Sequence, residues 1–473
     1  MYKSEKLANS LKLLIQSGTW KPHEKLPSLR SQCKNSGFSL ITVMNAYHEL
    51  EAQGLIYSKE KSGYFVADRK TFSTTHSFDT NQKIEINSIV FHYLKSIQGD
   101  HIIPLGSAFP NSQLLYSPKL IQILAQLAKR HFSYEQTPSL PPGNIELRKL
   151  IAQRYCMQGI QADHDDIVIT SGGLDALNLA LQAVTQIGDY IILQQTVFYG
   201  AWQAAERLGL KVITIPDHPE DGIDLQALEH AIEKYPIKAC WFMLNCHNPI
   251  GYTVKDKIKE KLAKILYQHN IYLIEDDVYG ELYFENKKPL SMKYFDENNL
   301  VLHCSSFSKI LGADFRIGWV YAGPYSEKIQ HIQLMSTLSV NSFIQNALVE
   351  YLSHRDYDKH LKKIRASLEK NKIDFYHFLQ RILDQNCKVH YFPSGYFLWI
   401  ELPKELDSID IYQSLLSKNI SIAPSHLFNA HDTKAKNYLR INCSFDLTAS
   451  YQEALLELSK CINHAIQLYR ASK

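Results

Sequence analysis

The chain has 473 residues, of which 45% are hydrophobic and 21% charged, and its formal net charge is +3. This length predicts two or three domains, and the composition excludes a disordered or fibrous protein. No apolar run reaches the roughly 18 residues of a membrane helix, and the first residues are too charged for a signal peptide. The eight cysteines form no CxxC pair. We therefore expect reduced thiols, a cytoplasmic protein without a membrane partner, and no zinc site.

The positive charge is concentrated at the start of the chain. Residues 1–70 hold 11 Lys and Arg against 6 Asp and Glu, whereas the other 403 residues hold 40 against 42. An uneven basic balance of this kind favours a polyanionic partner for the first part of the chain.

The same first part shows a pattern of three helices and a hairpin. Leucines recur at helical spacing over residues 2–17, and "KLPSLRSQCKNSG" predicts a second helix that ends at Gly37. "FSLITVMNAYHELEAQGL" predicts a third helix, with Ser39 as its N-cap. "LIYSKEKSGYFVA" predicts two short strands around a charged turn. This is the order of a winged helix-turn-helix, in which the third helix enters the DNA major groove. The third helix should bury one stripe: Val43, Ala46, Tyr47 and Leu50.

The segments "LPSLR", "TVMNAY", "LEAQGLI" and "SGYFV" resemble the GntR-type winged-helix domain, over residues 1–68. The family commonly carries arginine where this chain has Leu40, so a sequence preference does not carry over. A small interaction domain that binds no DNA is the alternative. The resemblance implies that double-stranded DNA is contacted by six residues: Arg30, Ser39, Thr42 and Asn45 in the helices, and Lys61 and Gly63 in the wing.

The rest of the chain predicts a linker and then an α/β domain. Residues 69–95 are polar at first and become helical in pattern near Ile89. From about residue 100 to 340, seven short β-branched runs alternate with amphipathic stretches, which predicts a parallel or mixed doubly wound sheet. A long charged helix and two further strands then predict a smaller α+β part over about 345–473.

Polar motifs follow several of these strands, and ligands bind at such strand ends in open α/β sheets. "ITSGGLDAL" is a weak phosphate-binding signal that also fits a plain tight turn. "IYLIEDDVYGELYF" ends a buried strand in carboxylates. One of the three carboxylates Glu275, Asp276 and Asp277 could face a protonated ring nitrogen, although a solvated loop or a metal site fits as well. "NCHNPIG" places Asn248 before a turn.

The stretch "SSFSKILGADFRIGW" combines a lysine and an arginine with small and apolar residues. Desolvation lowers the pKa of a lysine and leaves a nucleophilic amine, as imine formation with an aldehyde requires. Arg316 stays charged and suits a bidentate contact with phosphate. Lys309 and Arg316, with Ser306 and Ser308, can thus hold both ends of pyridoxal phosphate. Ion-paired core residues are the alternative.

These motifs, in this order, resemble the fold-type I, class I/II aminotransferase domain over residues 96–473. The resemblance implies that Lys309 carries an internal aldimine with pyridoxal 5′-phosphate and that Asp276 pairs with the ring nitrogen. It assigns Asn248 and Tyr279 to the phenolic oxygen. It assigns the phosphate to a larger set: Ser171, Gly172, Gly173, Ser306, Ser308 and Arg316.

Four further residues match the aminotransferase pattern singly. Phe198 matches the aromatic that stacks on the cofactor ring, with a core aromatic as the alternative. Tyr134 matches a tyrosine that reaches the phosphate in the neighbouring subunit, which implies a homodimer. Arg440 matches the arginine that receives a substrate carboxylate, and Gly106 matches a backbone position beside the substrate.

A winged helix-turn-helix before an α/β pyridoxal-phosphate transferase fold resembles the MocR subgroup of GntR regulators. The resemblance implies a homodimeric transcriptional regulator that senses an amine or amino acid by aldimine exchange at Lys309. Effector binding would shift the placement of the DNA-binding domains through its different affinity for two states. An active aminotransferase of an amino acid, or a DNA-binding protein with a purely structural cofactor, are the alternatives.

Overall fold

The structure of the chain is a computed structural model that describes residues 3–16, 19–59, 62–67, 86–97, 99, 101–130, 139–218, 221–429 and 436–471. Backbone contacts divide the chain into two compact units, Met1–Lys83 and Ile84–Lys473. Within the described ranges, no helix is both long enough and apolar enough to cross a membrane.

The first unit has the expected three helices and hairpin. Its elements are α1 (Lys3–Gln16), α2 (Leu29–Ser36), α3 (Leu40–Ala52), β1 (Ile56–Lys59) and β2 (Gly63–Val66). β1 and β2 pair antiparallel. Ser28 caps α2 by accepting a hydrogen bond from the Ser31 amide at 3.2 Å, and Gly37 ends α2 with φ +70°. The winged helix-turn-helix expected from the sequence is confirmed.

One face of α3 forms the centre of this unit's core. Val43, Ala46, Tyr47 and Leu50 are fully buried and pack with Leu7 and Leu11 of α1 and with both strands. The Tyr47 hydroxyl donates a hydrogen bond to the Pro27 carbonyl at 2.9 Å, which ties α3 to the chain just before α2. The predicted stripe is therefore the buried stripe.

We expect Tyr47→Phe to lower the stability of the first unit by about 1 kcal/mol, because the partly buried Pro27 carbonyl loses its donor. Hydrogen exchange of α1–α3 in the full chain measures the change. Tyr57→Phe is the control, because it removes only an exposed contact with His23, and it should cost less than about 0.5 kcal/mol. Equal protection in the two variants would contradict the role given to Tyr47.

The second unit begins with a helix inside the segment expected to be linker. This helix, α4 (Ile86–Ser96), buries Val90 and Tyr93 against Trp399 and Phe428 from the far end of the chain. The tertiary contact explains why helical periodicity returns near Ile89.

A seven-stranded sheet forms the large part of the second unit, as the seven apolar runs predicted. The order is β3-β9-β8-β7-β6-β4-β5. Among these strands, β9 alone runs in the direction opposite to the other six. Apolar residues cover both faces of the sheet, against the surrounding helices. The strands are β3 (Ile167–Thr170), β4 (Tyr190–Gln194), β5 (Lys211–Ile215), β6 (Ile237–Phe242), β7 (Tyr272–Asp276), β8 (Val301–Ser306) and β9 (Gly318–Tyr321).

Helices surround this sheet and continue into the smaller part. They are α5 (Ser112–Leu115), α6 (Pro118–Arg130), α7 (Ile145–Cys156), α8 (Gly173–Val184), α9 (Tyr199–Arg207), α10 (Leu225–Lys234), α11 (Asp256–Gln268), α12 (Ser326–Ser336) and α13 (Ser342–Leu352).

The smaller part is an antiparallel sheet covered by long helices, as the sequence predicted. The sheet order is β10-β11-β13-β12, and its core packs against the long helix α14 and the C-terminal helix α16. The elements are α14 (Asp356–Ile382), β10 (Lys388–His390), β11 (Phe397–Glu401), α15 (Ser408–Leu416), β12 (Ala423–Pro424), β13 (Tyr438–Asn442) and α16 (Ala449–Ala471).

Candidate functional site

The turn between β3 and α8 lies against the Arg316 side chain. Gly172 has φ +93°, and a Cβ atom on it would lie 3.0 Å from the Arg316 guanidinium carbon. A Cβ atom on Gly173 would lie 2.6 Å from a Val278 methyl group. Arg316 donates to the Ser171 carbonyl at 3.0 Å. The two glycines thus bring the guanidinium close to the N-terminus of α8, where free amides favour an anion.

Ser306, the last residue of β8, lies at the same turn, and Ser308 follows two residues later. The Ser306 hydroxyl lies 3.4 Å from the position that a Gly173 Cβ would occupy. The Ser308 hydroxyl oxygen is buried and has no hydrogen-bond partner among the described residues. Hydroxyls, helix amides and a guanidinium are the donors that a phosphate group needs, so this corner fits one end of pyridoxal phosphate.

Lys309 lies beside this corner with its amine in a dry environment. Its Nζ donates to the Ala108 carbonyl at 2.8 Å and lies 5.3 Å from the centre of the Tyr279 ring. Although the residue as a whole keeps some exposure, loss of water around Nζ lowers its pKa to about 7, and the charges of Arg440 and Arg316 act in the same direction. A substantial fraction of the amine is therefore neutral near pH 7.

Asp276, the last residue of β7, has a buried carboxyl group. One of its oxygens, Oδ1, has no hydrogen-bond partner in the part of the chain that the structure describes. Burial raises the pKa of this carboxyl to about 7. A buried acceptor of this kind is stabilised by a cationic donor, and the protonated ring nitrogen of pyridoxal phosphate is one.

The next residue, Asp277, shows the opposite behaviour. It is also buried, but its carboxylate is 3.0 Å from His303 Nε2 and accepts from Asn245 Nδ2 at 3.0 Å. Although burial alone would raise the pKa of Asp277, the hydrogen bond and charge of His303 hold it below the ordinary value. Tyr155 in turn lies 2.6 Å from His303 Nδ1. This supporting network is not predicted by the sequence motifs, in which the second aspartate of "EDD" is its one signal.

A third group of residues surrounds Arg440 on β13. Its guanidinium donates to the Asn248 side-chain oxygen at 2.7 Å and to the Gly106 carbonyl, and it lies over the ring of Phe397 at 4.4 Å. Asn248 donates to the Tyr279 hydroxyl at 3.5 Å. Among the described residues no carboxylate lies within salt-bridge distance of Arg440, which leaves this buried cation suited to a ligand carboxylate.

Gly106 is enclosed on several sides. A Cβ atom on it would lie 2.4 Å from the Ile422 backbone and 2.7 Å from the Ala423 amide. Its carbonyl accepts from both Arg440 and the Tyr93 hydroxyl of α4. The glycine is required here by close packing, since its neighbours leave no room for a side chain.

Phe198 is less closely connected to the pocket. It precedes α9, is partly buried, and its ring centre lies 4.4 Å from that of Tyr199. Val197 donates to the Phe428 carbonyl at 3.1 Å, which fixes this loop against the smaller part. The described ring contacts of Phe198 do not include Lys309 or Asp276. Tyr134 lies outside the described residues.

A second set of candidate residues lies on the first unit. Arg30, in the first turn of α2, and Asn45, on α3, are exposed. The Ser39 hydroxyl accepts from the Thr42 amide at 3.3 Å and lies 2.9 Å from the Thr42 hydroxyl, so both side chains also serve the helix start. Gly63 opens β2 with φ +101°. Lys61 lies outside the described residues.

Comparison with known families assigns both units. Residues 112–457 match the model of aminotransferase class I and II, and residues 3–66 match the model of bacterial regulatory proteins of the gntR family.

Two relatives match over nearly their whole length. The HTH-type transcriptional regulator YdcR of Escherichia coli (strain K12) is 44% identical, with 98% of this chain and all of the relative covered. The regulator YjiR of the same organism is 33% identical, with 99% of this chain and all of the relative covered.

Solved structures resemble the second unit. The multiple substrate aminotransferase of Thermococcus profundus has a TM-score of 0.74 at 23% identity and covers 82% of this chain and 98% of its own. LysN, the α-aminoadipate aminotransferase of Thermus thermophilus, has a TM-score of 0.72 at 22% identity and covers 81% and 100%. At these identities the likeness shows the fold alone, which is the pyridoxal-phosphate-dependent fold type I expected from the sequence.

These matches define a class of transcriptional regulators in which a winged helix-turn-helix precedes an aminotransferase-like domain. The chain belongs to the gntR family of bacterial regulators with an aminotransferase class I and II domain, an arrangement consistent with the MocR-type subgroup expected from the sequence.

We expect Asp276→Asn to stabilise the cofactor-free chain at alkaline pH. The pKa of Asp276 is raised from 3.8 to about 7, so the folded state binds the proton more tightly, and the free energy of unfolding falls as pH rises through that window. Asparagine removes the ionisation, which should recover on the order of 4 kcal/mol at pH 8 and well under about 1 kcal/mol at pH 4.

Denaturant unfolding of the cofactor-free chain at pH 4 and pH 8 measures this difference. Asp374→Asn, at an exposed position on α14 of the same unit, is the matched control and should change neither value. If Asp276→Asn were no more stabilising at pH 8 than at pH 4, the carboxyl would have a partner or be hydrated.

Proposed function

We propose that this regulator binds pyridoxal 5′-phosphate at Lys309 and uses the cofactor to sense an amine or amino acid. The observation that carries the proposal is a buried Asp276 carboxyl, with Oδ1 unpartnered among the described residues, close enough to the Lys309 amine for the charge of each group to affect the pKa of the other. The glycine turn with Arg316 adds an anion-binding corner. The LysN structure, of the same fold, is complexed with N-(5′-phosphopyridoxyl)-L-leucine.

Each part of the pocket has its own task in this proposal. Pyridoxal phosphate supplies an aldehyde that condenses with primary amines and a ring that withdraws electrons when its nitrogen is protonated. Asp276 keeps a proton on that nitrogen, Asn248 and Tyr279 hydrogen-bond the phenolic oxygen, and Phe198 stacks on the ring. The phosphate is held by Ser171, Gly172, Gly173, Ser306, Ser308 and Arg316, together with Tyr134 of a second subunit in a homodimer.

In this proposal the effector binds by competing with the Lys309 amine. The Lys309 amine would hold the cofactor through its aldehyde, and an effector amine would compete with Lys309 for that position. Arg440 receives the effector carboxylate, for which the buried guanidinium has no competing acid among the described residues. A ligand of this kind shifts the placement of the DNA-binding units by as much as its affinities for the two arrangements differ.

An aminotransferase that releases product is the second candidate function. Lys309, Asp276 and Arg440 are all present, so the residues for turnover are in place. Purified protein mixed with an amino acid and a keto acid separates the two functions. Product formed over many turnovers favours the enzyme, whereas a spectral change limited to one equivalent favours the sensor.

Cofactor binding is tested by titrating the chain with pyridoxal phosphate, reducing it with borohydride and mapping the peptides. We expect one phosphopyridoxyl group on Lys309 and none on Lys372, a second buried lysine, whose pKa is lowered to about 8. Lys309→Ala should lose the visible absorbance band. A label elsewhere, or an unchanged band in Lys309→Ala, would remove the basis of the sensor.

DNA binding is tested by charge removal on α2. Arg30→Ala should weaken binding about tenfold and reduce the salt dependence of the affinity by about one phosphate contact. Lys6→Ala, at an exposed position on α1, is the charge-matched control. Equal effects of the two substitutions would show that Arg30 does not lie at the DNA surface.

A further inference from the structure

The outward face of the first two turns of α3 is apolar. Leu40 is 51% exposed, Ile41 67% and Met44 37%, although the opposite stripe of the same helix already forms the core of the unit. Leu40 and Met44 are four residues apart, as are Ile41 and Asn45, so these four side chains form one continuous surface. Three large exposed apolar side chains on two turns of a helix do not stabilise the folded unit by burial. They indicate a surface that contacts a partner.

The charge of the first unit indicates what covers this surface. Residues 1–70 carry five more basic than acidic residues, and Arg30 is exposed on the preceding helix α2. Such an excess favours nucleic acid over an apolar protein partner. The start of α3 is also the part of a recognition helix that contacts base edges in the major groove.

In the major groove only one base presents an apolar group. Thymine carries a 5-methyl group, which aliphatic side chains contact, whereas the other base edges present hydrogen-bond donors and acceptors. Asn45 suits adenine, whose N6 and N7 positions asparagine bonds in bidentate fashion. Leu40, Ile41 and Met44 have no side-chain hydrogen-bonding group to satisfy a guanine or cytosine edge.

We propose that Leu40, Ile41 and Met44 form a surface that contacts thymine methyl groups, so that each operator half-site is read mainly through A·T pairs. This inference rests on the proposed DNA contacts of the first unit and adds the class of base that α3 recognises.

The experiment begins with selection of tight-binding duplexes from a random pool by the full chain. Thymine is then replaced by uracil within the selected site, which removes only the methyl groups. Wild-type protein should lose affinity about fourfold for each contacted methyl group. Uracil placed outside the selected site is the control and should leave the affinity unchanged.

Single substitutions identify the side chains. Leu40→Ala, Ile41→Ala and Met44→Ala should each reduce the preference for thymine over uracil, whereas Leu13→Ala, at a position of α1 that is 65% exposed, should keep it in full. Equal affinity of wild-type protein for both duplexes would overturn the inference while leaving DNA binding intact. Absence of binding to any duplex would instead contradict the DNA-binding proposal itself.

Discussion

The main constraint on the candidate site of the second unit is the carboxyl group of Asp276, which is buried while one of its oxygens lacks a hydrogen-bond donor among the described residues. Asp276 and Asp277 are adjacent and equally buried, yet the pKa of the first is raised and that of the second lowered. The difference lies in their partners, since Asp277 has His303 and Asn245. The fold therefore leaves one oxygen of Asp276 without a partner among the described residues, near enough to Lys309 for their charges to interact. In the proposed function, a ligand with a cationic and an anionic end would recover the free energy that this arrangement costs.

Much of this architecture could be predicted from the sequence because its causes are local. Seven β-branched runs correspond to the seven strands of the large sheet, and the 3.6-residue period of α3 identifies its buried stripe. Serine before α3 and glycine after α2 mark real helix ends. The sequence predicts that polar residues after buried strands converge, and Asp276 and Arg316 lie close enough to Lys309 for their charges to act on its amine.

The rest depends on contacts between distant parts of the chain. Arg440 and Asn248 are 192 residues apart, and Arg440 and Gly106 are 334 apart. Contacts over such separations are not predicted by the periodicity of a helix or a strand. The antiparallel direction of β9 and the partners of Asp277 are likewise tertiary. The helical pattern near Ile89 indicates the helix α4. It does not show that Trp399 and Phe428, from the far end of the chain, form the apolar surface against which this helix packs.

The carbonyl of Gly106 accepts from two groups with very different positions in the chain. Tyr93 belongs to α4, the first described helix after the joining segment, and Arg440 lies near the end of the chain. In the proposed function, a ligand carboxylate that draws the guanidinium toward itself would weaken one of these two bonds and leave the tyrosine as the main donor. One peptide oxygen thus links Arg440 on β13 to α4, the described helix that follows the winged unit along the chain.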